Sequence, residues 1–179
     1  MRLDHIAFRV LNRNLAKQYF CNHFGYKISN DFTVDFPDKT YANCYVLSPQ
    51  ENLDKRLPFL YPINNIYGHK VVNYHMAPEI FLSQGSKGSI VEKWVNENKT
   101  KLHHLAFQVN NVKCIMNDLK KQGLIEFTSN EPLKCQGLTQ IFTKPCPFTG
   151  LIYEFIEREK EGFCVENVKD LMESTKNYN

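Results

Sequence analysis

Two histidines in near-identical settings carry the strongest chemical signal in the sequence. Leu3-Asp4-His5-Ile6-Ala7-Phe8-Arg9-Val10 recurs as Leu102-His103-His104-Leu105-Ala106-Phe107-Gln108-Val109, and six of the eight paired positions are identical or exchange Ile for Leu. A glutamate lies in a strand-like stretch late in each half: Glu79 within Ala77-Pro78-Glu79-Ile80-Phe81-Leu82, and Glu154 within Ile152-Tyr153-Glu154-Phe155-Ile156. Imidazole and carboxylate suit iron, nickel, cobalt, zinc or manganese, whereas a thiolate-rich set would favour zinc or copper(I). His5, His104 and Glu154 are therefore candidate ligands of one divalent metal, with Glu79 as a candidate fourth. A single histidine in a strand is more often a hydrogen-bonded or surface group, so the repetition is what selects these two. His23, His69, His75 and His103 have no matched counterpart and read as non-ligands.

The elements that must position these residues also repeat. In each opening strand Ile6, Phe8 and Val10, or Leu105, Phe107 and Val109, form a large apolar face. The opposite face mixes a histidine, an alanine and a polar residue (Arg9 or Gln108), which suits the lining of a site. Helices are expected at 12–24 and 111–122, each stopped by a glycine, Gly25 and Gly123. Leu15, Tyr19 and Phe24 are the expected buried side of the first helix. Strands are expected at 26–34 and 41–48, with a turn at 35–38, and again near 124–128, 137–143 and 150–157. Residues 49–69 carry three prolines and no periodicity, so they read as a long loop. A connecting helix at 89–97 and a closing helix at 165–175 complete an α+β chain of two paired βαβββ modules. The expected organisation is a single domain over 1–179: module 1 about 1–85, a linker helix in 86–100, module 2 about 101–160 and a closing helix in 163–175.

Composition narrows the partners. The chain has 179 residues and a net charge of +3, too weak and too dispersed for a nucleic-acid surface. No apolar run approaches the roughly 20 residues of a membrane helix, and the opening residues do not form a secretory signal, so a cytoplasmic protein is expected. The six cysteines, Cys21, Cys44, Cys114, Cys135, Cys146 and Cys164, contain no C-x-x-C pair and read as mostly reduced thiols.

The two histidine segments and Ile152-Tyr153-Glu154-Phe155-Ile156-Glu157-Arg158 resemble the vicinal oxygen chelate (glyoxalase/bleomycin resistance/dioxygenase) superfamily over essentially the whole chain. That superfamily pairs βαβββ modules around one divalent metal. Leu138-Thr139-Gln140-Ile141-Phe142-Thr143-Lys144-Pro145 is similar to the Leu-Leu-Gln-Ile-Phe-Thr-Lys-Pro of the 4-hydroxyphenylpyruvate dioxygenase catalytic domain. Gly162-Phe163, Asn167 and Leu171 follow that family's closing helix. The resemblance implies an iron(II) triad of His5, His104 and Glu154, with Glu154 and Gln140 catalytic. It implies that Gln140, Phe142, Phe163 and Asn167 bind substrate, and that 163–171 is a lid. The implied reaction uses iron(II) and dioxygen on an aromatic 2-oxo acid; nickel, cobalt, zinc and manganese are the alternative metals.

Two other readings stand beside it. This chain has one module pair, only 50 residues separate His104 from Glu154, and Glu79 replaces an apolar residue. Those features resemble methylmalonyl-CoA epimerase or glyoxalase I, in which the metal stabilises an enediolate. Between Thr33 and Ser48, however, no glutamate is available as the epimerase's additional base. The third reading is a non-catalytic small-molecule binding module. In each case the partner is a small molecule, and the family resemblance admits a homodimer.

Overall fold

The computed structural model describes residues 1–49, 60–64, 70–74, 77–123, 125–160 and 162–176. Its strands are β1 (Arg2–Arg9), β2 (Tyr26–Asp35), β3 (Tyr41–Pro49), β4 (Leu60–Asn64), β5 (Lys70–Tyr74), β6 (Glu79–Gly85), β7 (Lys101–Gln108), β8 (Leu133–Cys135), β9 (Leu138–Phe142) and β10 (Ile152–Arg158). The helices are α1 (Arg13–Phe24), α2 (Ile90–Asn98), α3 (Val112–Gln122) and α4 (Val165–Ser174). Eight strands form one curled mixed sheet in the order β2-β3-β6-β1-β7-β10-β9-β8. The order is symmetric about the antiparallel β1–β7 junction, so β6 corresponds to β10 and β3 to β9. This is the α+β architecture expected from the internal repeat.

Local signals place the helices. Asn12 caps α1 and Asn111 caps α3 through their side-chain oxygens, and both helices end on a left-handed glycine, Gly25 and Gly123. The buried side of α1 differs from expectation. Leu15, Tyr19 and Phe24 are more than half exposed, while Ala16 and Phe20 pack against the cluster of Val10, Tyr45, Leu47, Ile80 and Leu82. Polar contacts set this rotation: the Arg13 guanidinium lies 4.0 Å from the Tyr45 ring centre, and the Tyr45 hydroxyl donates to Asn14. The sequence offers two stripes one residue apart, and apolarity alone does not choose between them.

Three other expectations change. Part of the expected 49–69 loop is strand, since β4 pairs with β5 as a separate hairpin; its Pro62 masked the strand pattern. The other residues of 50–69 lie outside the described set, as do His69 and His75. The expected strand near 124–128 is only an isolated bridge from Phe127 to Thr143, and the chain meets β9 again at β8. Ser129, Asn130 and Pro132, three turn-forming types, lie between the two contacts. Finally, Cys135 and Cys164 form a disulfide, linking β8 to the residue that precedes α4; Cys21, Cys44, Cys114 and Cys146 are free. The two bonded thiols are far apart in sequence and meet only because α4 folds back over the sheet.

That return closes the concave face. Val168 and Met172 of α4 join Val34, Ala42, Val46 and Phe81 of the first half, whereas Leu171 packs with Phe142 and Ile152 of the second. The helix thus spans both halves directly above the β1–β7 junction.

Candidate metal centre

His5 and His104 project from the two central strands into the concave face, and Glu154 reaches it from β10. His5 Nε2 lies 3.3 Å from His104 Nε2, and Glu154 Oε2 lies 3.2 Å from each. Three donors on such a triangle, each about 2.1 Å from an ion, subtend roughly 100° at it. That angle lies between octahedral and tetrahedral values, so the three side chains can hold one face of a divalent ion. All three are buried. Burial alone would lower the His5 pKa, but the Glu154 and Asp4 carboxylates outweigh it and raise it to about 9. Burial, together with the His5 and Arg9 charges, lowers the His104 pKa despite Glu154. Glu154 itself is held well below the usual carboxylate range by the two imidazoles, against the effect of burial.

A register shift in each central strand builds the surroundings. Leu3 faces Phe107 and His5 faces Ala106, leaving Asp4 as the extra residue on β1. Ala7 faces His104 and Phe8 faces Leu102, leaving His103 as the extra residue on β7. Such irregularities break the alternation of side chains, so the residue before each of the two histidines is buried beside it. Asp4 Oδ1 lies 2.9 Å from His5 Nδ1, and His103 Nδ1 lies 2.8 Å from His104 Nδ1. A partner on Nδ1 fixes each imidazole with Nε2 free to ligate. Asp4 is in turn held by Arg158, through Nε at 2.9 Å and Nη2 at 2.8 Å.

The other sequence candidates divide. Gln140 is buried and donates from Nε2 to Glu154 Oε1 at 2.6 Å, while its Oε1 accepts from Asn167 Nδ2 at 3.0 Å. Asn167 therefore bears on the cluster through Gln140. Phe142 lies against His104 with ring centres 4.7 Å apart, and Phe163 meets His5 edge-on at 5.1 Å. Gln140, Phe142 and Phe163 line a cavity of about 30 Å³ next to the three donors.

Glu79 is not brought into the cluster. His5 pairs with Glu79 and Ala7 with Phe81, whereas His104 pairs with Ile152 and Ala106 with Glu154. The structural counterpart of Glu154 is thus Phe81, and that of Glu79 is Ile152. The two glutamates match by sequence context but are displaced two residues, one step along the same face. Glu79 instead accepts a hydrogen bond from the Ser48 hydroxyl at 2.8 Å. His103 is the residue that sequence reasoning passed over, and its adjacency to His104 was the available signal. Among the described residues one further metal-type group occurs, Cys135, Cys164 and Glu166, but its two thiols are joined to each other.

Fold and site together define a class: paired βαβββ modules with two histidines and a carboxylate on the concave face. The chain belongs to the glyoxalase/bleomycin resistance protein/dioxygenase superfamily, whose model matches residues 4–137. Among solved structures it is similar to a 4-hydroxymandelate synthase mutant from Streptomyces coelicolor, at 19% identity and a TM-score of 0.70, covering 98% of this chain and 53% of that one. It is also similar to a methylmalonyl-CoA epimerase at 19% identity and a TM-score of 0.61, covering 89% of this chain and 97% of that one. The epimerase from Mycobacterium tuberculosis matches at 16% identity and a TM-score of 0.61, covering 89% of each chain. Comparison with curated proteins finds no match. Members of the superfamily typically bind a divalent metal and a small molecule. No helix among the described residues is long and apolar enough to cross a membrane.

Proposed function

We propose that this chain is an iron(II)-dependent dioxygenase-type enzyme acting on an aromatic 2-oxo acid, with His5, His104 and Glu154 as the metal ligands. The observation that carries the reading is the convergence of three donors among the described residues, with Phe81 standing where a symmetric fourth ligand would come from. A two-histidine, one-carboxylate face leaves positions open for a chelating 2-oxo acid and for dioxygen. When bound, iron(II) supplies the redox chemistry of oxidative decarboxylation.

The chain's own residues then have separable tasks. Asp4 and His103 hold the imidazoles by their Nδ1 atoms, and Gln140 fixes Glu154 by its Oε1. Phe142 and Phe163 offer ring faces and edges to an aromatic substrate and keep water from the reacting atoms. A cavity of about 30 Å³ holds one or two waters and no aromatic acid. Admission of substrate therefore requires Phe163 and α4 to move outward, and their return re-forms the dry site. The modules 1–85 and 101–160 and the closing segment 163–175 work as one unit in this reading.

A second reading, an epimerase- or glyoxalase-like isomerase or lyase, is supported by the near full-length likeness to an epimerase. It would use Glu79, register partner of His5, as the proton-transfer carboxylate. The test is anaerobic iron(II) titration with phenylpyruvate. A visible charge-transfer band followed by oxygen uptake is the expected result. Tight nickel, cobalt or zinc binding without that band, together with proton exchange on an acyl thioester, would replace the first reading by the second.

A further inference from the structure

Arg9 is not one of the three donors and holds none of them, yet it is among the most deeply buried side chains of the molecule, 2% exposed. It lies four residues beyond His5 on the same face of β1, about 13 Å along the strand. It lines the cavity that the three donors line. Its Nη2 donates to Thr175 Oγ1 at 3.1 Å and its guanidinium lies 5.4 Å from the Trp94 ring centre. Its Nη1 is buried with no hydrogen-bond partner, and no carboxylate forms an ion pair with it among the described residues. A buried, uncompensated guanidinium is costly to folding. That cost is reflected in its pKa, which burial pushes down to about 9.

A second unsatisfied atom belongs to a residue that lines the same cavity. His103 Nε2 is buried without a partner, and the His103 ring packs on the same Trp94, at 5.2 Å. Its character follows from the metal reading. If His104 ligates through Nε2, its Nδ1 carries the hydrogen and donates to His103 Nδ1, which leaves the hydrogen of neutral His103 on Nε2. Two orphaned donors, Arg9 Nη1 and His103 Nε2, thus belong to side chains that lie against Trp94 and mark the Arg9 end of the cavity. Ser83, the register partner of Arg9, lines the cavity beside them.

We propose that this end of the cavity is an anion subsite, and that the substrate is an aromatic 2-oxo acid whose ring carries a second anionic group, of carboxylate type, received by Arg9 and His103. The inference deepens the proposed function and rests on it for the orientation of the substrate. The 2-oxo acid head lies at the three ligands, the ring lies among Phe81, Phe142 and Phe163, and the distal carboxylate satisfies the buried guanidinium. A ring with an uncharged end leaves Nη1 orphaned.

The experiment is calorimetric binding of 4-carboxyphenylpyruvate and phenylpyruvate, anaerobically, to the metal-free and the iron(II)-loaded full chain. Wild type is expected to prefer the carboxylated acid by about tenfold or more, as a charge-assisted bond in a buried site provides. Arg9→Met should abolish that preference and melt no lower than wild type, because it removes an unpaired buried charge. Arg9→Lys should keep part of the preference, and it supplies the comparison if Arg9→Met does not fold. Equal affinity for the two acids in wild type overturns the proposal, as does a preference that survives Arg9→Met. Arg9→Met that melts lower and leaves the two affinities unchanged would make Arg9 a tie to α4 through Thr175. Failure of the metal reading has a different signature: no iron(II) binding, with the preference for the second carboxylate retained by the metal-free protein.

Discussion

Asp4→Asn separates the support of the cluster from the cluster itself. The Asp4 carboxylate is buried and accepts from Arg158 twice and from His5 Nδ1. Asparagine has the same shape but offers one oxygen and an NH2 group. If the oxygen serves His5, the NH2 faces the Arg158 donors and the guanidinium, itself largely buried, loses its counter-charge. Breaking a buried ion pair from one side costs about 3–5 kcal/mol. For a chain of this length that corresponds to a melting temperature lower by about 6–20 °C. Burial alone would raise the Asp4 pKa, but the bonds from His5 and Arg158 outweigh it and hold it below 3.8. A depressed carboxyl adds stability that is complete above about pH 4 and is lost as the pH falls through its folded value. The deficit of Asp4→Asn should therefore be full at neutral pH and shrink below about pH 4. With the imidazole less firmly oriented, metal affinity should also fall by about 10–100-fold. The assays are thermal melts across pH and competitive metal titration. A variant melting within about 2 °C of wild type at neutral pH, with unchanged metal affinity, would refute the coupling.

Glu79→Gln should leave iron(II) affinity and stoichiometry unchanged by calorimetry, whereas His104→Ala or Glu154→Gln should remove stoichiometric binding; a large loss in Glu79→Gln would restore the fourth ligand. Gln140→Leu strands Glu154 Oε1 and Asn167 Nδ2 in a buried site, at about 1–3 kcal/mol for each lost partner. It should lower both the melting temperature and turnover, and Asn167→Leu should do so more weakly, as measured by melts and oxygen uptake. Reducing the Cys135–Cys164 disulfide, which closes a loop 29 residues long, should cost about 3–4 kcal/mol. Melts of wild type with and without reductant, and of Cys135→Ser, give that difference; an unchanged melting temperature would show that α4 docks without the bond.

How far the sequence reached depended on what kind of order each feature required. The strand and helix pattern and the His5–His104 pairing were legible because the repeat writes them twice in local sequence. Glu154, Gln140, Phe142, Phe163 and Asn167 were singled out through family motifs, and the structure gathers them around the two histidines, Asn167 through Gln140. The face of α1 was not, because Leu15–Tyr19 and Ala16–Phe20 are both spaced four apart and only the contacts with Tyr45 decide. Nor was the Cys135–Cys164 bond, which depends on where α4 lands after it leaves the sheet. Glu79 was the instructive case. A glutamate in a similar strand is not the same structural position, since register is a relation between strands and is absent from either strand alone.

The repeat supplies the scaffold, and its departures from symmetry supply the chemistry. Both central strands carry one extra residue beside the cluster histidine, but the residue is Asp4 in one half and His103 in the other. Asp4 brings a charge, is neutralised by Arg158, and makes His5 the more basic imidazole. His103 brings none: burial and the neighbouring Arg9 keep its pKa well below that of free histidine. The same division runs through the paired outer strands, where Glu154 brings a carboxylate to the cluster from one half and Phe81 presents a ring from the other. Arg9 and Gln108 end the equivalent strands. Arg9 is buried over the cavity, while Gln108 lies at the sheet's rim, accepting a hydrogen bond from Arg2. The departures differ in kind: Asp4 and Glu154 bring carboxylates to the three-donor cluster, Phe81 brings a ring, and the two unpartnered donors belong to Arg9 and His103. A perfectly symmetric dimer of modules would place like groups at both ends of the trough and could not tell one end of a substrate from the other. In the proposed function, this asymmetry gives the trough a head and a tail for a substrate with two unlike ends.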